Sequence, residues 1–187
     1  MKDIEHRRQA EWKRYRRFYA SEDYGARTSR HDATEVWLRD WLRPRAFTTW
    51  LDVGAGAADH SPIAAAHGIE LSRTDPGIDE GDDTPAHLLL DCYGPESFDL
   101  VTSFDCLEHL LPDELDTGLR QLWDVARGAV AVSVGAFRSG WKGHHDLHHT
   151  VLGASEWFDR IAAAWPGAPS LEFPCGPHTP FYWAAKP

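Results

Sequence analysis

Cysteine is scarce in this chain of 187 residues: there are three, Cys92, Cys106 and Cys175, and no Cys-x-x-Cys pair. An odd count without paired spacing argues against a disulfide framework. No uninterrupted apolar stretch reaches the length a membrane span requires. The opening Met1-Lys2-Asp3-Ile4-Glu5-His6-Arg7-Arg8 lacks the apolar segment of a secretory signal. A cytoplasmic location without a membrane partner is therefore expected. Repeats and low-complexity tracts are missing too. Positive charge is thin over most of the chain. The net charge is −10, yet residues 1–17 hold seven Lys/Arg against three acids, a balance of +4 that leaves −14 for the rest. So acidic a body argues against nucleic acid as a partner, because such binding rests on neutralising phosphates.

What is present fits one ordinary globular domain with a real core. Residues 3–20 and 31–43 read as helices, forming an N-terminal helical cap over 1–47. The first is basic and laced with Trp12, Tyr15, Phe18 and Tyr19. It reads as an amphipathic helix lying on the body with its cations toward acidic surface, or alternatively as a grip for an anionic substrate. From residue 48 to 187, strand-like and helix-like runs alternate. Strands are expected at 48–53, 70–74, 86–90, 98–103, 129–134, 171–173 and 181–184, with helices at 58–67, 113–126 and 155–164. This rhythm predicts an α/β fold, a doubly wound, Rossmann-like seven-stranded sheet with helices on both faces. Residues 174–180 are too few for a helical crossover, so the sheet should be mostly parallel with an antiparallel last strand.

The richest segment is Trp50-Leu51-Asp52-Val53-Gly54-Ala55-Gly56-Ala57-Ala58-Asp59. An apolar strand meets an acid and then Gly54 and Gly56, whose missing Cβ atoms let main-chain N–H groups approach a ligand. Alone, such a turn serves shape in many proteins. Two details narrow it. Asp59 stands where the dinucleotide fingerprint needs a third glycine, and Asp52 would repel a pyrophosphate. Both argue against NAD and toward a cationic, amino-bearing ligand such as S-adenosylmethionine.

Further residues build a resemblance. Leu51-Asp52-Val53-Gly54-Ala55-Gly56, Asp75 at a strand end, Asp91-Cys92, and Phe98-Asp99-Leu100-Val101-Thr102-Ser103-Phe104-Asp105-Cys106-Leu107-Glu108-His109 follow in order, and Phe181-Tyr182-Trp183-Ala184-Ala185-Lys186-Pro187 closes the chain. In this order and spacing the sequence resembles class I S-adenosylmethionine-dependent methyltransferases over nearly its whole length. The resemblance implies S-adenosylmethionine as cofactor, with Asp75 on the ribose hydroxyls, Asp91 and Cys92 beside the adenine, and Phe104 in the strand-four segment. Asp52 would order the glycine turn and reach the methionine amino group, and Arg30 is the candidate donor to its carboxylate. Any cover over the substrate must come from residues 1–47 and 136–154.

Methyl transfer requires alignment of acceptor and methyl, and at times removal of a proton. Histidine suits that task near neutrality, which makes His109, His148 and His149 the catalytic candidates. A second reading is metallic. Asp105-x-x-Glu108-His109 with a distant histidine resembles the metal-binding pattern of small-RNA terminal 2′-O-methyltransferases and ubiquinone-pathway O-methyltransferases, although those begin with Glu. The expected activity is methyl transfer to O or N of a small-molecule acceptor. The alternatives are a metal-assisted 2′-O-methyltransferase on an RNA end and a non-catalytic cofactor-binding subunit.

Overall fold

The structure is a computed structural model that describes residues 2–19, 28–56, 58–77, 82–138, 140, 141, 144, 145 and 147–187. Two helices, α1 (Lys2–Tyr19) and α2 (Thr28–Leu42), precede the sheet. The core strands are β1 (Thr49–Val53), β2 (Glu70–Thr74), β3 (Phe98–Phe104) and β4 (Ala126–Ser133), all parallel in spatial order β2-β1-β3-β4. After a two-residue ribbon, β5 (Gly140–Trp141) and β6 (His144–His145), the chain closes with β7 (Ser170–Glu172) and β8 (Phe181–Ala185). β8 runs antiparallel to β4, and β7 antiparallel to β8, as the short 174–180 connection requires. Helices α3 (Ser61–Ala66), α4 (Leu89–Tyr93), α5 (Pro112–Val125) and α6 (Ala154–Ala164) connect the strands. No helix among the described residues is long and apolar enough to cross a membrane.

Strand alternation sorts the core into two layers. Leu51, Val101, Val130, Val132 and Tyr182 pack with Leu115, Leu119 and Leu122 of α5 and with Trp157 and Ile161 of α6. Their neighbours Trp50, Leu100, Ala129 and Ala131 face Leu38, Trp41 and Leu42 of α2 and Ile63 of α3. A period of two on each strand places these residues on opposite faces. The start of α5 is written in sequence: Pro112 at the first turn, then Asp113 and Glu114, whose Oε2 accepts the Leu111 N–H at 3.1 Å.

One expected strand is a helix instead, so among the described residues the sheet has six strands and not seven. Residues 86–90 form a 3-10 turn (Ala86–Leu88) leading into α4. A short apolar run does not by itself separate strand from helix. This one is leucine-rich and lacks β-branched residues, which favours helix. Gln121 of α5 fixes it, accepting from Leu90 N at 3.0 Å and donating to His87 O at 2.6 Å. A single parallel bridge, Thr74 to Asp82, remains where the third strand was expected.

Asp99 locks the far end of the sheet. One carboxylate oxygen accepts from Thr48 N (2.8 Å), Thr48 Oγ1 (2.6 Å) and Thr49 N (3.1 Å); the other accepts from Arg127 at 2.7 and 2.9 Å. Burial pushes its pKa up, but the bonds from Thr48, Arg127 and Thr49 outweigh that and hold the carboxyl well below its usual range. A depressed folded pKa adds stability above the unfolded value, roughly pH 4, that is lost as pH falls through the folded value. Asp99→Asn should therefore cost about 2 kcal/mol at pH 7. Urea unfolding at pH 7 and near pH 2 should show the gap closing at low pH; an equal gap at both would refute this account.

Candidate functional site

The carboxyl ends of β1, β2 and β3 open onto one cleft. Ligands of open α/β sheets bind at this end. Gly54 follows β1 with φ +69°, and a Cβ there would fall 2.1 Å from Cys106 Sγ. The turn is tied to the next strand: Gly54 N donates to Thr74 O at 2.7 Å, and Gly56 N to Asp75 Oδ2 at 2.8 Å. Asp75 Oδ1 accepts from Gly77 N at 2.6 Å, so one buried carboxylate fixes two loops. Gly54, Asp75, Pro76, Gly77, Pro85, Ala86 and His87 line the cleft together with Asp105, Cys106 and His109. Glu11, Trp12 and Tyr15 of α1 and Leu110, Leu111 and Glu114 complete the lining, with Glu114 Oε1 3.9 Å from His87 Nε2.

Glu108, His109 and His148 each offer a ligand atom, and these atoms lie within 4.8 Å of one another. Glu108 is 1% exposed; its Oε1 accepts the Gly135 N–H at 2.7 Å, while Oε2 has no hydrogen-bond partner among the described residues. Burial, then the neighbouring Asp105, pushes its pKa up to about 7. His109 Nδ1 lies 2.9 Å from the Leu147 carbonyl, and His148 Nδ1 2.6 Å from the Phe137 carbonyl. A carbonyl only accepts, so this network assigns the proton to both Nδ1 atoms and leaves both Nε2 lone pairs unprotonated. The Tyr15 hydroxyl completes the support, 2.7 Å from His109 Nδ1 and donating to Leu147 O at 3.2 Å. Burial lowers the pKa of both histidines, so both are neutral at pH 7.

Of the residues singled out in the sequence, Gly54, Asp75 and His109 line the cleft, Gly56 braces Asp75, and His148 stands behind His109 with ring centroids 4.8 Å apart. Asp52 is buried beneath the turn, accepting from Thr102 Oγ1 at 2.7 Å and paired with His60 Nδ1 at 2.9 Å. Its carboxylate is not part of the cleft lining. Phe104 packs its ring on His60 and Phe181, also away from the cleft lining. Asp91 and Cys92 sit at exposed positions of α4. With their strand replaced by a helix, the ground for placing them beside an adenine is gone. His149 pairs with Glu11 across 3.3 Å and is outside the lining. Arg30 belongs to α2, but its side chain lies outside the described residues.

Sequence reasoning missed the face of α1 that matters. Glu11, Trp12 and Tyr15 turn to the cleft, while Lys13, Arg16 and Arg17 are exposed, the reverse of a helix docked through its cations. The spacing i, i+1, i+4 was the available signal. Gly135 was missed as well; a Cβ there would fall 2.7 Å from Glu108 Oε1 and 2.8 Å from His148 Cε1.

No protein-family model matches the sequence, and no curated protein sequence matches it. Solved structures do match. Magnesium protoporphyrin IX methyltransferase from Synechocystis PCC 6803, crystallised with S-adenosylmethionine, superposes with TM-score 0.65 at 13% identity, over 95% of this chain and 97% of that one. The 1,6-didemethyltoxoflavin-N1-methyltransferase of Burkholderia thailandensis, with bound 1,6-didemethyltoxoflavin and S-adenosylhomocysteine, gives 0.58 at 21% identity over 89% and 90%. An S-adenosylmethionine-dependent methyltransferase from Archaeoglobus fulgidus gives 0.62 at 13% over 81% and 94%. At these identities the likeness is one of fold, and the chain carries the Rossmann-like fold of class I S-adenosylmethionine-dependent methyltransferases.

Proposed function

We propose that the protein transfers a methyl group from S-adenosylmethionine to O or N of a small-molecule acceptor. The observation that carries this reading is one cleft lined by the Gly54 turn, Asp75 and His109 together. Asp75, on the cleft wall at the end of β2, is the carboxylate for the ribose hydroxyls. In the transfer, a lone pair on the acceptor attacks the methyl carbon as the carbon–sulfur bond breaks, and the sulfonium becomes a neutral thioether. His109, neutral and with Nε2 unprotonated, takes the proton that a hydroxyl or amine must lose. Tyr15 and Leu147 hold the ring in that tautomer.

A second reading is favoured by the geometry of Glu108, His109 and His148. Two imidazoles with Nδ1–H fixed on carbonyls, converging with an unpartnered buried carboxylate oxygen, form the outer-shell arrangement of metal-ligating histidines. A divalent cation held there, with Asp105 nearby, would polarise an acceptor oxygen. Titration calorimetry decides between these readings. S-adenosylmethionine should bind in the micromolar range, and absence of binding would remove the methyl-transfer reading. Mn2+ binding that Glu108→Gln weakens at least tenfold would favour the metal; no Mn2+ binding would leave His109 as the base.

A further inference from the structure

Helix α1 lines the cleft with Glu11, Trp12 and Tyr15, yet among the described residues it gives none to either layer of the core. Trp12 and Tyr15 are half-buried, and Lys13, Arg16 and Arg17 are exposed. A helix in a protein draws most of its stability from a packed apolar face. This one is therefore held less firmly than α5 and α6, whose leucines, Trp157 and Ile161 are core. Its contacts meet on one short segment. The Tyr15 hydroxyl donates to Leu147 O at 3.2 Å, and Glu11 Oε2 faces His149 Nε2 at 3.3 Å. His148 stands between those two residues in the chain. The Leu147 carbonyl is also the partner of His109 Nδ1 at 2.9 Å, and Tyr15 reaches that nitrogen directly at 2.7 Å. Past the segment, Thr150 is tied to the body: its N–H donates to Glu108 O at 2.9 Å and its hydroxyl to Leu110 O at 3.1 Å.

Resting on the methyl-transfer reading, we propose that α1 is a lid over the cleft and that Glu11 and Tyr15 are positioning residues, acting on the histidines by pinning residues 147–149. With α1 lifted, ligands enter and leave. With α1 docked, Leu147 O is held against His109 Nδ1, and His148 is fixed by its neighbours on both sides. Closure thus completes the base that takes the acceptor's proton, and the chemistry waits for the cleft to fill. It also protects the methyl donor, because no water is activated beside the sulfonium while the lid is up.

Two variants of the full chain test this. Glu11→Ala removes one contact and keeps a strong helix former, and Tyr15→Phe removes only the hydroxyl. In hydrogen exchange without ligand, α1 amides should exchange roughly a hundredfold or more faster than those of β3 and β4, which also report that each variant is folded. Saturating S-adenosylhomocysteine should slow the α1 amides at least fivefold. In stopped-flow displacement, each variant should release S-adenosylhomocysteine roughly fivefold faster than the parent, the effect of losing one polar contact. The sharpest readout is His109, which meets Tyr15 and Leu147 but has no described contact with Glu11. Imidazole nitrogen NMR at pH 7 should show Nδ1–H in the parent and a tautomer mixture in unliganded Glu11→Ala. Alpha-helix amides of α1 as slow as the sheet, release rates within twofold of the parent, or an unchanged His109 in Glu11→Ala would each overturn the proposal. Failure of S-adenosylhomocysteine to bind would remove the methyl-transfer reading, while α1 exchange and the His109 tautomer in the unliganded protein still decide this one.

Discussion

Gly54→Ala should lower the affinity for S-adenosylmethionine at least a hundredfold, about 2.7 kcal/mol. Two costs combine at this position. The backbone has φ +69°, where a Cβ costs about 1–2 kcal/mol. The added methyl would also lie 2.1 Å from Cys106 Sγ and 2.7 Å from Cys106 Cβ. The thiol can rotate, but the Cβ is fixed to backbone that Asp105 anchors, its N–H donating to Ser133 O at 3.0 Å. The turn must therefore lift, which breaks the bond from Gly54 N to Thr74 O and shifts the Gly56 N–H off Asp75. Removing the sulfur in Gly54→Ala/Cys106→Ala should restore part of the affinity, because the Cβ contact persists. Calorimetric titration checks both variants. A Gly54→Ala protein that binds within threefold of the parent would show that this turn does not hold the methyl donor.

That prediction was half legible in the sequence. Asp52-x-Gly54-x-Gly56 and Asp75 announced the turn and its partner through residue type and spacing, because a positive φ and a close approach demand glycine. The parallel strands were legible as well, since β-branched and aromatic runs of the right length leave few alternatives. The segment 86–93 was not, because three consecutive leucines fit either state and Gln121, 31 residues past Leu90, decided the outcome. The surroundings of Asp52 were hidden for a related reason. Its position in the strand was clear, but which face it occupied depended on His60 and Thr102, neither readable from local pattern. The role of α1 was hidden by its charge. Seven bases drew the eye to a cationic face, whereas Glu11, Trp12 and Tyr15 meet the cleft.

Gly135→Ala should separate cofactor binding from methyl transfer. Unlike Gly54, this glycine has no positive φ, so alanine fits its backbone and the fold should survive. The obstacle is side-chain space: the new methyl would sit 2.7 Å from Glu108 Oε1, 2.8 Å from His148 Cε1 and 3.3 Å from Phe137 Cε1. Glu108 is 1% exposed and cannot swing into water, and His148 is held by the Phe137 carbonyl. Moving Glu108 breaks its bond from Gly135 N, moving His148 breaks its bond to the Phe137 carbonyl, and either spoils the convergence with His109. Cofactor affinity should stay within threefold of the parent, because the Gly54 turn and Asp75 are untouched. Methyl transfer should fall at least a hundredfold on any acceptor the parent uses, since misplacement by about 1 Å costs that much. Imidazole nitrogen NMR gives a readout that needs no acceptor. His148 should be Nδ1-protonated in the parent and a tautomer mixture in Gly135→Ala, where its carbonyl partner is lost. An unchanged His148 spectrum with full activity would mean that the close packing at Gly135 serves the fold alone. A changed spectrum with lost activity and intact cofactor binding would place Glu108, His109 and His148 in the chemistry and the glycine turn in the binding.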